Sequence, residues 1–96
     1  MVYYPMKDYI LHGFRKSQRH GKKYDAILIN NRRGNYIYIP FGSLFYQNYD
    51  DKTGLNLYNN LLHYDKNRRR LYRIRHMKDL KKGYYSAGYF SFFYLW

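Results

Sequence analysis

Apolar and polar positions along this chain fall into blocks with different periods. Between residues 24 and 40 the pattern is that of a β-hairpin. Tyr24-Asp-Ala-Ile-Leu-Ile29 and Tyr36-Ile-Tyr-Ile39 are rich in β-branched and aromatic residues, and Asn30-Asn31-Arg32-Arg33-Gly34-Asn35 between them is rich in turn formers. Pro40 is expected to end the second strand, because it has no N–H to give a ladder. Residues 55–63 are expected to form a short helix. Asp65 is a good N-cap for a second and better helix, Lys66 to about Lys81, with Gly83 just beyond it. On that helix Leu71, Ile74 and Met77, with Tyr72 beside them, are spaced for one apolar face, while Lys66, Arg69, Arg70 and Arg73 project together on another. Residues 84–96 have no period that separates helix from strand.

Residues 1–23 lack clean periodicity. Val2, Tyr3, Tyr4 and Met6 make an apolar patch around Pro5, and Arg15, Lys16, Arg19, His20, Lys22 and Lys23 make a basic stretch around Gly21. This segment reads as a basic N-terminal arm that orders only against a partner or the domain's own surface. The division expected is therefore an arm over 1–23 and a single domain over 24–96. Residues 41–54 read as irregular, and Asp50-Asp51-Lys52-Thr53-Gly54 is a loop signal. The fold class is α+β: the arm, the hairpin, two helices and an aromatic C-terminal segment packed against them.

Composition sharpens this picture. Ninety-six residues hold one core at most. The formal charge is +12, from 18 Lys and Arg against 6 acids, all of them Asp. A charge this large in so short a chain repels itself and is tolerated more easily beside a polyanion or an acidic partner. Fifteen Tyr, six Phe and one Trp separate the chain from a disordered basic tail. Eight of the last thirteen residues are aromatic and must pack on the domain's own helix and hairpin or on another molecule; the size of the chain favours its own core. Without Cys, disulfides and thiolate metal sites are excluded. No apolar run approaches the roughly 20 residues needed to span a bilayer. The opening Met-Val-Tyr-Tyr-Pro-Met-Lys-Asp lacks the basic and apolar regions of a signal peptide, so the chain is expected to stay inside a cell or a particle.

The most charged segment runs from His63 to His76 and holds five arginines within eight residues, Arg68 to Arg75. Arginine offers a planar fork of donors that fits phosphate or carboxylate bidentately. The candidate polyanion-binding residues are Arg32 and Arg33 on the hairpin tip and Lys66, Arg69, Arg70 and Arg73 on the helix. Six Asp residues leave most arginines unpaired within the chain, which implies an outside partner. Candidate partner contacts are Tyr3, Tyr4, Arg15 and Arg19 in the arm and Tyr89, Phe93 and Trp96 in the aromatic tail. The four histidines have no metal-ligand spacing, and the Asp50-Asp51 pair lacks the ligand spacing of a calcium loop. His63, Asp65 and His76 make an acid–base cluster only if joined by a nucleophile or a held metal, so a structural role is expected of them. No phosphate-cradling glycine loop, dinucleotide fingerprint or Ser-His-Asp set is present. No cofactor, no metal and no catalysis are expected.

Four stretches carry a resemblance. They are Tyr24-Asp25-Ala26; Ile39-Pro40-Phe41-Gly42; His63-x-Asp65-Lys66-x-Arg68-Arg69-x-x-Tyr72-x-x-Arg75-His76; and Ala87-Gly88-Tyr89-Phe90-Ser91-x-x-x-Leu95-Trp96. Together they resemble a family of small basic proteins encoded by nucleocytoplasmic large DNA viruses, over about residues 24–96. That family carries no established catalytic activity, so the resemblance transfers no site residues. The setting it implies is a virion or an infected cell. Two functions follow as expectations. The first is a non-catalytic structural protein, a minor capsid or inner-shell component that bridges larger virion proteins through basic and tyrosine-rich surfaces. The second is a sequence-independent DNA-binding protein that packages or organises the viral genome. The partner is accordingly nucleic acid, DNA foremost, or acidic surfaces of virion proteins, within a larger assembly and without a membrane span.

Overall fold

At the centre of the fold is a three-stranded antiparallel sheet in the order β2-β3-β4, built from β2 (Tyr9–Lys16), β3 (Lys22–Asn30) and β4 (Tyr36–Ser43). The computed structural model describes residues 2–96. A second, two-stranded sheet pairs β1 (Tyr4–Pro5) with β5 (Tyr84–Tyr85) and ties the two ends of the chain together. The helices are α1 (Lys66–His76) and α2 (Ala87–Phe90), the second running on as a wider, π-type turn over Ser91–Leu95. The architecture is thus α+β, as the sequence pattern indicated.

The hairpin forms as read, with Gly34 at φ +73 in the connection and the Asn30 carbonyl accepting from the Gly34 N–H at 2.8 Å. Its second strand is longer than expected. β4 continues through Pro40, which sits opposite Asp25, to Ser43. The strand order makes β4 an edge, where a missing N–H can face away from the ladder, so the proline is tolerated.

Three expectations are corrected here. Residues 9–16 are a full strand of the main sheet rather than part of an arm, and the expected boundary between 23 and 24 falls inside β3. Further on, the short helix expected over 55–63 is a single 3-10 turn, Asn59–Leu61. The second helix ends at His76 and is followed by a 3-10 turn over Met77–Asp79, short of Lys81.

One face of the sheet carries the core. Tyr24, Ala26 and Leu28 of β3 alternate inward and are fully buried, and Ile39 and Phe41 of β4 join them. Phe90, Leu95 and Trp96 close over that face. The aromatic tail therefore packs inward. Phe14 meets Phe41 and Phe90 edge-on, at 5.8 and 5.9 Å between centroids, and Phe41 and Phe90 lie 5.6 Å apart. The tail is also strapped from outside: the Leu95 carbonyl accepts from the Tyr49 and Asp50 N–H groups, and the Tyr94 carbonyl from Lys52. The loop over 50–57 hangs on Tyr24, whose hydroxyl donates to the Asp51 carboxylate and accepts from the Leu57 N–H at 3.1 Å.

Candidate polyanion-binding surface

Five of the six aspartate side chains are occupied with local structure. Asp25 accepts from Arg15 Nε at 3.0 Å and from Ser17 Oγ at 2.7 Å; Asp51 holds Thr53 and Tyr24. Asp65 caps α1, accepting from the Asn67 and Arg68 N–H groups at 2.9 and 3.2 Å. Asp79 meets His76 Nδ1 at 3.1 Å. Among the described residues, Arg15 is the one Lys or Arg that makes an ion pair with a carboxylate. No other Lys or Arg among the described residues lies within ion-pair distance of an Asp carboxylate, although Asp51 exerts a partial pull on Lys23.

Helix α1 distributes five arginines and is turned differently from the expectation. Arg69, Tyr72, Arg73 and His76, spaced three and four apart, form the face laid on the domain. Tyr72 stacks on Trp96 with centroids 4.2 Å apart and planes 4° from parallel. Arg69 Nε and Arg73 donate to the backbone oxygen of Trp96 at 3.0 and 3.3 Å. Arg69 lies over the Tyr49 ring and Arg73 over Phe92, at 5.0 and 4.3 Å. Burial, with Arg69 alongside, lowers the Arg73 pKa. Leu71, Ile74 and Met77, expected inside, are exposed. The reason is the partner surface: rings and the Trp96 backbone oxygen suit arginine forks and a tyrosine better than leucine or isoleucine. Of the four basic residues expected together, Lys66 and Arg70 remain exposed and Arg69 and Arg73 hold the fold.

On the opposite flank of α1, Arg68 and Arg75, two turns apart, face a cleft of about 500 Å³. Its walls are Lys22, Gly42 and Ser43 from the sheet, Tyr46, Gln47 and Asn48 from the following loop, Arg68, Tyr72, Arg75 and His76 from α1, and Ser91 and Trp96 from the tail. Among the described residues no Asp side chain lines it. The loop wall is firmly held. Lys23, itself buried, donates to the Tyr46 carbonyl at 2.8 Å and to the Asn48 side-chain oxygen, and Arg68 donates to Gln47 Oε1 at 2.9 Å. Sequence reasoning passed over Lys22, Tyr46 and Gln47, which carry no motif, and Arg75, whose seven-residue spacing from Arg68 was the available signal.

Arg32 and Arg33 sit on the hairpin tip, where Asn30 Oδ1 accepts from both of their N–H groups at 3.0 Å. They border a separate hollow of about 350 Å³ with Pro5, Asp8, Tyr9 and Asn30. Lys22 and the tip are at opposite ends of a nine-residue strand, a separation of about 30 Å. The structure does not bring the tip and the cleft together.

Most of the expected partner contacts are used internally. Tyr3 donates to the Asp79 carbonyl at 3.3 Å, and Tyr4 packs edge-on against Tyr9 at 5.4 Å. Arg15, besides pairing with Asp25, lies 3.7 Å over the Tyr38 ring. Tyr89 packs between Tyr85 and Phe93, burial raising its hydroxyl pKa, and Trp96 is in the core. Arg19 and Phe93 stay exposed.

His63 and His76 occupy separate local arrangements. His63 Nδ1 accepts from the Asp65 N–H at 2.9 Å, and burial together with Arg68 lowers its pKa. Its Nε2 is buried without a partner among the described residues, and its ring lies 5.2 Å from Trp96. Asp65 is committed to the helix cap and His76 to Asp79. Among the described residues no three His or Asp side chains converge as a metal-binding group, and no helix is long and apolar enough to cross a membrane. Comparison with protein-family models, with curated proteins and with solved structures gives no match.

Proposed function

We propose that the protein is a non-catalytic nucleic-acid binder that holds the phosphate backbone, of DNA foremost, without reading sequence. The observation that carries this reading is the near-absence of internal counter-charge: 18 Lys and Arg, and Arg15 alone in an ion pair among the described residues. Cations left in this state repel one another, and phosphates relieve that repulsion while releasing the counter-ions condensed on the nucleic acid. The folded aromatic core gives those charges fixed positions, unlike a basic tail. Lys66 and Arg70 on the outer flank of α1 and Lys22, Arg68 and Arg75 around the cleft form the interface.

The test is binding of the full chain to a labelled random duplex across a salt series. Affinity is expected to fall linearly with salt on a log–log plot, by several powers. The double variant Lys66→Gln, Arg70→Gln is expected to weaken all sequences alike and to reduce the slope by about 1–2. Weak or salt-insensitive binding overturns the reading.

A second reading, a minor capsid or inner-shell component bridging larger virion proteins, is supported by the outward row Leu71, Ile74 and Met77 on α1 and by the resemblance to proteins of large DNA viruses. It predicts recovery of the protein in fixed stoichiometry from purified, genome-free shells. Its absence from such shells overturns it.

A further inference from the structure

The cleft beside α1 has more structure than backbone binding needs. A duplex lying along a basic face requires cations at the surface; here three cations converge on one concavity. Lys22 enters from the first residue of β3, Arg68 and Arg75 from one flank of the helix. Every charged lining side chain is basic, so the site suits an anion. The Lys22 and Arg75 side chains make no hydrogen bond to another described residue, whereas Arg68 is set in place by Gln47. The volume, about 500 Å³, is far more than a bare phosphate fills and falls in the range of small-molecule sites. At the rim, Tyr46 is 72% exposed, while its backbone carbonyl is pinned by the buried ammonium of Lys23. A large aromatic ring held out at the edge of a cationic hollow is a stacking surface for a planar group. The wall is organised before any ligand arrives, which lowers the ordering penalty on binding.

Resting on the nucleic-acid reading, we infer that this cleft is a binding site for a single nucleotide. Lys22, Arg68 and Arg75 hold the phosphate, and the base lies against Tyr46. The nucleotide is either free or one unit of an unpaired strand; the chemistry recognised is the same. A base within a duplex is stacked on both sides and is not available to Tyr46, so the site separates unpaired from paired substrates. It thereby confers a preference that the outer cations alone do not give.

The experiment is a titration of the isotope-labelled full chain, followed by amide shifts and calorimetry, with thymidine 5′-monophosphate, thymidine and inorganic phosphate. The monophosphate is expected to shift amides over 43–48 and 68–76. Thymidine is expected not to bind, and inorganic phosphate to bind about tenfold more weakly than the monophosphate. Arg75→Gln and Tyr46→Ala, both at exposed positions, are each expected to weaken the monophosphate about tenfold while leaving the unfolding midpoint unchanged. The double variant Arg32→Gln, Arg33→Gln at the far tip is expected to change nothing. A parallel titration with an eight-nucleotide oligothymidine identifies the source. Tighter binding than the monophosphate assigns the site to an unpaired strand, and equal or weaker binding assigns it to free nucleotide. The inference is overturned if the monophosphate leaves the cleft amides unmoved, or if both variants bind it as the wild type does. A steep salt slope on duplex DNA alongside that failure leaves the broader reading standing; loss of the slope removes both.

Discussion

Lys23 and Tyr24 are neighbours on β3 whose side chains leave the strand on opposite sides, and their titrations pull stability in opposite directions. Burial lowers the Lys23 pKa to about 8 against a partial pull upward from Asp51, and burial with the Asp51 hydrogen bond raises that of Tyr24 to about 12. Between about pH 8 and pH 10 the folded lysine has lost a proton that the unfolded chain retains, so stability rises with pH. Between about pH 10 and pH 12 the folded tyrosine keeps a proton that the unfolded chain has lost, so stability falls. Urea unfolding at a series of pH values is expected to show a maximum near pH 10, with the rising limb worth about 3 kcal/mol. Lys23→Met is expected to flatten the rising limb and leave the falling one. Gly42 is the other demanding position. At φ +76, a Cβ would stand 2.8 Å from Leu95 Cδ1 and 3.4 Å from Lys23 Cβ. Gly42→Ala is expected to destabilise the fold by about 1–3 kcal/mol, read from the same urea curves.

Helix α1 depends on its cap, because its outward face is apolar and its inward face basic. Asp65→Ala removes the acceptor for two N–H groups and is expected to cost about 1 kcal/mol, with loss of helical circular dichroism ahead of global unfolding. The cap and the hairpin were legible in the sequence, since each rests on local chemistry; the shortage of core-forming residues favoured inward packing of the tail but left Tyr89, Phe93 and Trp96 open to a partner. The orientation of α1 was not legible. Periodicity identifies the apolar row Leu71, Ile74 and Met77 but not the surface awaiting the helix, and that surface, Trp96 with its backbone oxygen and Tyr49, comes from elsewhere in the chain. Strand β2 was hidden for a different reason. Tyr9 and Leu11 alternate inward, but the pairing shifts between Leu11 and Gly13, and Phe14 returns to the core out of phase. An extra residue in the ladder breaks the period on which a strand is recognised. The cleft shares both difficulties. Its cations come from β2's neighbour β3 and from the flank of a helix whose rotation was set by tertiary contacts.

The molecule as a whole is a thin body, 41 × 27 × 20 Å, carrying twelve net positive charges. At about 0.15 M salt charges are screened beyond roughly 8 Å; at 0.01 M the screening length, about 30 Å, exceeds the shortest dimension, and every cation feels the others. Two pictures of the fold then give opposite signs. A protein pinned by ion pairs loses stability when salt is added, whereas one that tolerates unpaired cations gains it. With a single Arg–Asp pair among the described residues and an aromatic core, this protein belongs to the second kind. Its melting temperature is expected to rise between 0.02 and 0.5 M sodium chloride, by about 4–8 °C for each kcal/mol of repulsion screened. A polyanion reverses that trend. Random duplex at low salt and at about a hundredfold excess over its dissociation constant adds about 2.7 kcal/mol to the folded state, and the addition shrinks as salt weakens binding. Melting curves of the free and the DNA-bound protein are therefore expected to start far apart at low salt and converge at high salt. Parallel curves would place the charge outside the binding event, and a free protein that melts lower as salt rises would mean that its cations are paired in solution.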